Sequence, residues 1–233
     1  MLTWATGTHP GRVRSNNEDR LHPPTAGRGK EVLAIVADGM GGHVGGEVAS
    51  RLAVEAATGS RDLDVADRVH RANAAVYDRS LQEADLAGMG TTMTLAEITD
   101  KRVRIGHVGD SRCYLLRGDE LLLLTRDHTV AHEHLEANRI SEEELAEHPQ
   151  RHVLTRALGL FPEVEVDISE EPLEPGDRLL VCSDGLNGMI NDRQILRTGR
   201  EGAPEEAVWG LIERANLAGG YDNITVVIVD VES

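Results

Sequence analysis

The stretch from Gly90 to Thr125, GTTMTLAEITDKRVRIGHVGDSRCYLLRGDELLLLT, decides the fold class. It holds the short apolar runs TTMTLAEI, VRIGHV, CYLLRG and ELLLLT, separated by turn-forming residues. Thr99-Asp100-Lys101 is one such turn, and Arg117-Gly118-Asp119, lying between two runs, predicts a hairpin.

Helices and further strands flank this block on both sides. Upstream, VLAIVA at 32–37 is a short continuous apolar run, which fits a strand covered on both faces. Gly45 to Ala57 predicts a helix with Val48, Leu52 and Ala56 at helical spacing, and Leu63 to Ala87 a second one carrying Val65, Val69, Ala72, Val76 and Leu86. Downstream, strands are expected at 164–168 (VEVDI), 178–182 (RLLVC) and 223–231 (NITVVIVDV). Between the last two, DRQILRTG and EEAVWGLIERANLAGG predict helices, the second closed by Gly219 and Gly220. Strand blocks alternating with paired helices indicate α+β layers rather than strict βαβ repetition. The interval from His128 to His152 is polar, carries five histidines and has a capping-box helix start at Ser141, so it is expected to run over the surface. One domain spanning 1–233 with this local insertion is the simplest organisation.

Composition narrows the function. Of 233 residues, 40% are hydrophobic but only 3% aromatic, so Leu, Val, Ile and Ala must fill the core. A net charge of -16 argues against non-specific binding to nucleic acid or to anionic membranes. Cys113 and Cys182 both lie in strand-like runs and are expected to be reduced core residues. With no signal-peptide pattern after Met1 and no run approaching ~20 apolar residues, the expected location is cytoplasmic.

The segment Val36 to Gly46, VADGMGGHVGG, has one carboxylate followed by five glycines within eight residues. It is not a Walker loop, because Glu47 and Val48 stand where Lys and Ser or Thr are required. It is not a dinucleotide fingerprint either, since Val44 occupies the third glycine position. Asp38 is one of four aspartates at strand ends beside turn-forming residues: Asp38-Gly39, Asp110-Ser111, Asp184-Gly185 and Asp222-Asn223. Each alone is ordinary turn chemistry. Together at the ends of one sheet system they would repel by several kcal/mol unless cations sat among them. All-oxygen ligands favour Mg²⁺ or Mn²⁺ over zinc. A zinc reading of His128, His132 and His134 fails, because H-E-x-x-H would need a histidine where Glu136 stands.

Seven motifs then occur in a characteristic order: RSNNED, DGMGGH, GTT, GDSR, LTRALG, SDG and DNIT. From Arg14 to Thr225 the chain resembles the metal-dependent serine/threonine protein phosphatases of type 2C (PPM) in their bacterial form. The resemblance implies an α-β-β-α sandwich of two antiparallel sheets flanked by helices, with a flap insertion at about 128–152. It implies a core site for two Mg²⁺ or Mn²⁺ ions. Asp38 would bridge the two ions, Gly39 would lend its carbonyl, and Asp184 and Asp222 would hold one ion. Asp110 would belong to a third ion, with Glu18 and Asp19 in the outer shell. Arg14 corresponds to the arginine that grips the phosphoryl oxygens.

Two cations 3.5–4 Å apart can lower the pKa of a shared water and direct it at phosphorus without a covalent phosphoenzyme. The proton donor to the leaving group is open: animal relatives place a histidine where this chain has Met40, and His43 and a metal-held water are the candidates. His148 and Arg151, in HPQRHVLTRALG, are expected to shape the substrate entrance. The expected partners are phosphorylated proteins, among them a serine/threonine kinase or its substrates, and the expected state is a monomer. A catalytically silent module that binds phosphoproteins is the alternative; a metal-dependent nuclease lacks the basic groove it would need.

Overall fold

The structure, a computed structural model, describes residues 1–41, 44–59 and 62–232. In chain order the strands are β1 (Leu2–His9), β2 (Asp19–His22), β3 (Gly27–Gly29), β4 (Glu31–Met40), β5 (Gly90–Thr91), β6 (Met93–Thr99), β7 (Arg102–Val108), β8 (Arg112–Arg117), β9 (Glu120–Leu123), β10 (Asp167–Pro172), β11 (Arg178–Cys182) and β12 (Ile224–Val231). The helices are α1 (Gly45–Thr58), α2 (Val65–Gln82), α3 (Val130–Glu136), α4 (Glu142–Glu147), α5 (Asp184–Asn187), α6 (Asp192–Gly199) and α7 (Pro204–Leu217). The strands form two antiparallel sheets, ordered β3-β1-β12-β11-β8-β9 and β10-β7-β6-β4-β2, with β5 paired to β4.

Why the apolar runs are continuous is answered by the layers. Along β12, Val227, Val229 and Val231 enter the core between the sheets, while Val226 and Ile228 face α7 through Val208, Leu211 and Ile212. Along β4, Ala34 and Val36 face the same inner core, while Ile35 meets Ala49 and Ala53 of α1 and Val69 and Val76 of α2. A strand covered on both faces needs apolar residues at every position, so it shows no alternation. Each fully buried aliphatic side chain stabilises such layers by roughly 1.5–3 kcal/mol. The architecture is therefore helices, sheet, sheet, helices: the α+β layering expected from the strand blocks, in the sandwich that the family resemblance implies. Among the described residues no helix is long and apolar enough to cross a membrane. Both cysteines are buried and free.

Several elements differ from their sequence reading, β2 and β3 among those with no counterpart in it. The 164–168 strand lies instead at Asp167–Pro172, where it pairs only with β7 at the sheet edge. An edge strand needs no apolar run, and Val164 and Val166 pack against the cluster beneath α1 and α2 instead. The helix expected at 63–87 starts after its cap Asp64 and ends at Gln82; Glu83 turns extended, and a single 3₁₀ turn at Ala84–Leu86 returns Leu86 to the core. β1 has no counterpart in the sequence reading, although it pairs with β12 over eight residues. The excursion contains α3 and α4, the latter opened by the Ser141–Glu144 capping box.

Asn73, buried on α2, pins the segment that leads into β10. Its Nδ2 donates to the carbonyls of Phe161 and Pro162, both at 3.1 Å, and its Oδ1 accepts from the Gly159 amide at 2.8 Å. Asn73→Ala leaves three backbone groups without their partner and should lower unfolding free energy by about 2–4 kcal/mol. Urea denaturation of the variant beside wild type measures this directly.

Candidate active site

All four strand-end aspartates come to one end of the sandwich. β4 continues through Asp38 to Met40, so Asp38 lies within the strand rather than at its tip. Across the β2–β4 ladder it stands opposite Asp19. β7 ends at Val108, and Asp110 follows in a bend. β11 ends at Cys182, and Asp184 opens α5 behind its cap Ser183. Asp222 precedes β12 by two residues. Arg14, Glu18, Asp38, Gly39, Asp110, Arg151, Asp184 and Asp222 line one cleft of about 750 Å³.

Side chains flanking the aspartates in the motifs hold this arrangement. The Asp38 amide donates to Thr92 Oγ1 at 2.9 Å, and its carbonyl accepts from the Thr92 amide and from Thr91 Oγ1, each at 2.8 Å. Thr92 Oγ1 in turn shares a proton with Ser111 Oγ at 2.8 Å, joining GTT to GDSR beneath the carboxylate. Ser183 Oγ donates to Asp19 Oδ2 at 2.7 Å and accepts from the Thr225 amide at 3.0 Å. Asn223 Nδ2 donates to the carbonyls of Pro10 and Asn16, at 3.0 and 2.8 Å, while its Oδ1 accepts from the Glu18 amide at 2.8 Å. One amide therefore ties the Arg14 loop to Asp222.

Gly39 serves close approach. A Cβ there would stand 2.0 Å from the Gly46 carbonyl oxygen and 2.7 Å from that of Glu18, so only glycine lets α1 and β2 close on Asp38. Gly185 does the same for β12, since its Cβ would lie 2.0 Å from Asn223 O.

The electrostatics follow from like charges in a dry place. Burial pushes the Asp38 carboxyl well above the usual carboxylate range, and Asp19, Asp184, Asp110 and Asp222 push it further. Asp110 is raised by burial and by Asp184 and Asp127. Asp19 is raised to about 7 by burial, opposed by hydrogen bonds from Thr225 and Ser183, and its Oδ1 is buried without a partner. Arg14 Nη2 lies 2.7 Å from Asp222 Oδ2, and His152 Nδ1 lies 3.5 Å from Asp184 Oδ2. Among the described residues no three of these groups are closed around one point. Their chemistry nonetheless fits divalent cations: hard oxygen donors from separate elements, mutual repulsion that a cation reverses, an unpartnered buried oxygen and a glycine cradle.

The excursion delivers Arg151 to the cleft, but His148 is not among the residues lining it. The His148 ring packs edge-on against His134 at 5.3 Å, and its Nδ1 accepts from the Gln150 amide. That correction reflects the turn after α4, which directs His148 back onto α3. His152 and Tyr221 line the cleft and have no role in the sequence reading. Asn223 and Ser183 were legible there only as a turn former and a motif letter, although a hydroxyl or amide next to a clustered carboxylate is a recognisable signal. His43 lies outside the described residues.

Comparison with known proteins places this geometry. The protein phosphatase 2C family profile matches residues 6–206. The chain belongs to the protein phosphatase 2C family. It is 40% identical to the serine/threonine protein phosphatase PstP of Mycobacterium tuberculosis over 241 residues, covering 99% of this chain and 45% of that protein. It thus spans about half of PstP. The serine/threonine phosphatase stp of Listeria innocua is 38% identical over 96% of this chain and 93% of its own length. The crystal structure of the PstP catalytic domain with two manganese ions superposes with a TM-score of 0.87 at 36% identity, over all of both chains. The sandwich is therefore the protein phosphatase 2C fold.

The raised Asp19 carboxyl sets a pH dependence. In the unfolded chain it ionises near pH 4, and in the folded chain near pH 7. Its effect on stability is absent below about pH 4 and becomes unfavourable as pH rises to about 7. In EDTA, Asp19→Asn should therefore gain stability relative to wild type across that window, by up to about 4 kcal/mol. Denaturation midpoints of both proteins at pH 4, 5.5 and 7 follow the difference; one that stays constant contradicts the assignment.

Proposed function

We propose that this protein hydrolyses phosphoserine and phosphothreonine in proteins at a centre of two Mg²⁺ or Mn²⁺ ions, reversing a serine/threonine kinase. The observation that carries the reading is the meeting of Asp38, Asp110, Asp184 and Asp222 with Arg14 at one cleft. Asp38 would bridge the ions beside the Gly39 carbonyl, Asp184 and Asp222 would hold one of them, and Asp110 would serve a third. Glu18 and Asp19 would support from the outer shell. Bound there, the ions supply the Lewis acidity that activates water and neutralises the phosphoryl group.

The chain's own residues orient and exclude. Arg14 is held by Asp222, and a guanidinium carries five N–H donors, so that bond leaves donors for two phosphoryl oxygens. Asp19 is buried and Asp38 half-buried at the floor of the cleft, which strengthens the charge interactions around them. Arg151 brings a second cation to the rim of a protein that is otherwise strongly acidic. We read residues 1–233 as one catalytic unit with its flap at 128–152, acting as a cytoplasmic monomer on phosphorylated proteins. The kinship with PstP and stp, and the intact carboxylate set, support this over a silent binding module.

Phosphate release from a phosphothreonine peptide should require Mn²⁺ or Mg²⁺ and stop in EDTA. Arg14→Ala should lower kcat/KM by roughly ten- to a hundredfold, the loss of one charge-assisted contact. Tight peptide binding with no metal-dependent release would instead favour the silent module.

A further inference from the structure

A groove of about 400 Å³ lies beside the catalytic cleft, on the other side of a shared wall. Trp209, Ile212, Asn216 and Leu217 of α7 form one bank, and His9 and Arg12 the other. The wall is the loop after β1: Arg12 lines the groove, while Arg14, Ser15 and Asn16 line the cleft. Close backbone packing anchors this loop. The Arg12 amide donates to the Gly220 carbonyl at 2.7 Å, and a Cβ on Gly11 would meet the Asp222 carbonyl oxygen at 2.3 Å.

One bank of the groove is exposed and apolar. Trp209 and Leu217 are 48% and 70% exposed, and Tyr221, at 62%, extends the apolar surface from the end of α7 into the cleft.

We propose that this groove docks the segment of the phosphoprotein substrate that flanks the phosphorylated residue, seating an apolar side chain on Trp209 and Leu217. An extended polypeptide presents such side chains along its length. Continuity with the cleft through Tyr221 and the shared loop selects a substrate segment over an unrelated partner. Eight residues of helix separate Trp209 from Leu217, roughly 12 Å, which an extended chain crosses in about four residues. The inference rests on the phosphatase reading above.

The test compares wild type with Leu217→Lys and Trp209→Ala on three substrates: 4-nitrophenyl phosphate, a short phosphothreonine peptide, and the same peptide extended by a flank carrying leucine at successive positions. For the extended peptide, KM should rise about tenfold in both variants with kcat unchanged, while the two small substrates are turned over as by wild type. Equal loss on all three substrates, or no loss on the extended peptide, overturns the proposal. So does a change in sedimentation of Leu217→Lys with turnover of the extended peptide intact, which would assign the face to a second copy of the chain. Fluorescence anisotropy of the labelled extended peptide makes the same comparison without turnover. Wild type inactive on 4-nitrophenyl phosphate with Mn²⁺ would therefore sink the phosphatase reading alone, and the groove would still be decided by binding.

Discussion

Buried like charges at one end of a sandwich are the constraint on which the rest of this structure depends. Asp19 and Asp38 face each other across a strand pair, and Asp110, Asp184 and Asp222 approach from three further segments. Left to themselves, carboxylates in such a setting separate or take up protons. The fold restrains the first course: Thr91 and Thr92 hold the Asp38 backbone, Ser183 holds the Asp19 carboxylate, and Asn223 holds the loop before Glu18. The repulsion is confined to the cleft, where a divalent cation would turn it into affinity.

The layered core makes this possible at a distance. β4, β11 and β12 are apolar on both faces and lie between the helix layers, so their ends are placed by packing rather than by loop conformation. Residues on the site side of these strands inherit that precision. Arg14, by contrast, sits on an exposed loop and is located by its bond to Asp222 and by Asn223 beneath it.

Most of this was legible in the residues. The continuous run VLAIVA marked a doubly covered strand, and the four Asp-plus-turn dipeptides marked the cleft. What escaped was whatever depends on partners distant in the chain. β1, LTWATGTH, mixes Thr, Gly and Trp and has no clean period; its strand character comes from pairing along all of β12. β10 is exposed and acidic, and only the β7 edge makes it a strand. His148 and His152 differ by four residues in a polar segment, and nothing local to them says which one turns toward Asp184.

The central claim is that Asp38, Asp184 and Asp222 gather divalent ions. Anomalous difference maps from crystals grown in Mn²⁺ test it most directly. The account predicts two strong peaks sharing an Asp38 carboxylate, each roughly 2.0–2.3 Å from oxygen ligands, with Asp184 and Asp222 on one of them. Peaks elsewhere, at the histidines of the excursion for example, or none beside Asp38 at saturating Mn²⁺, would contradict it.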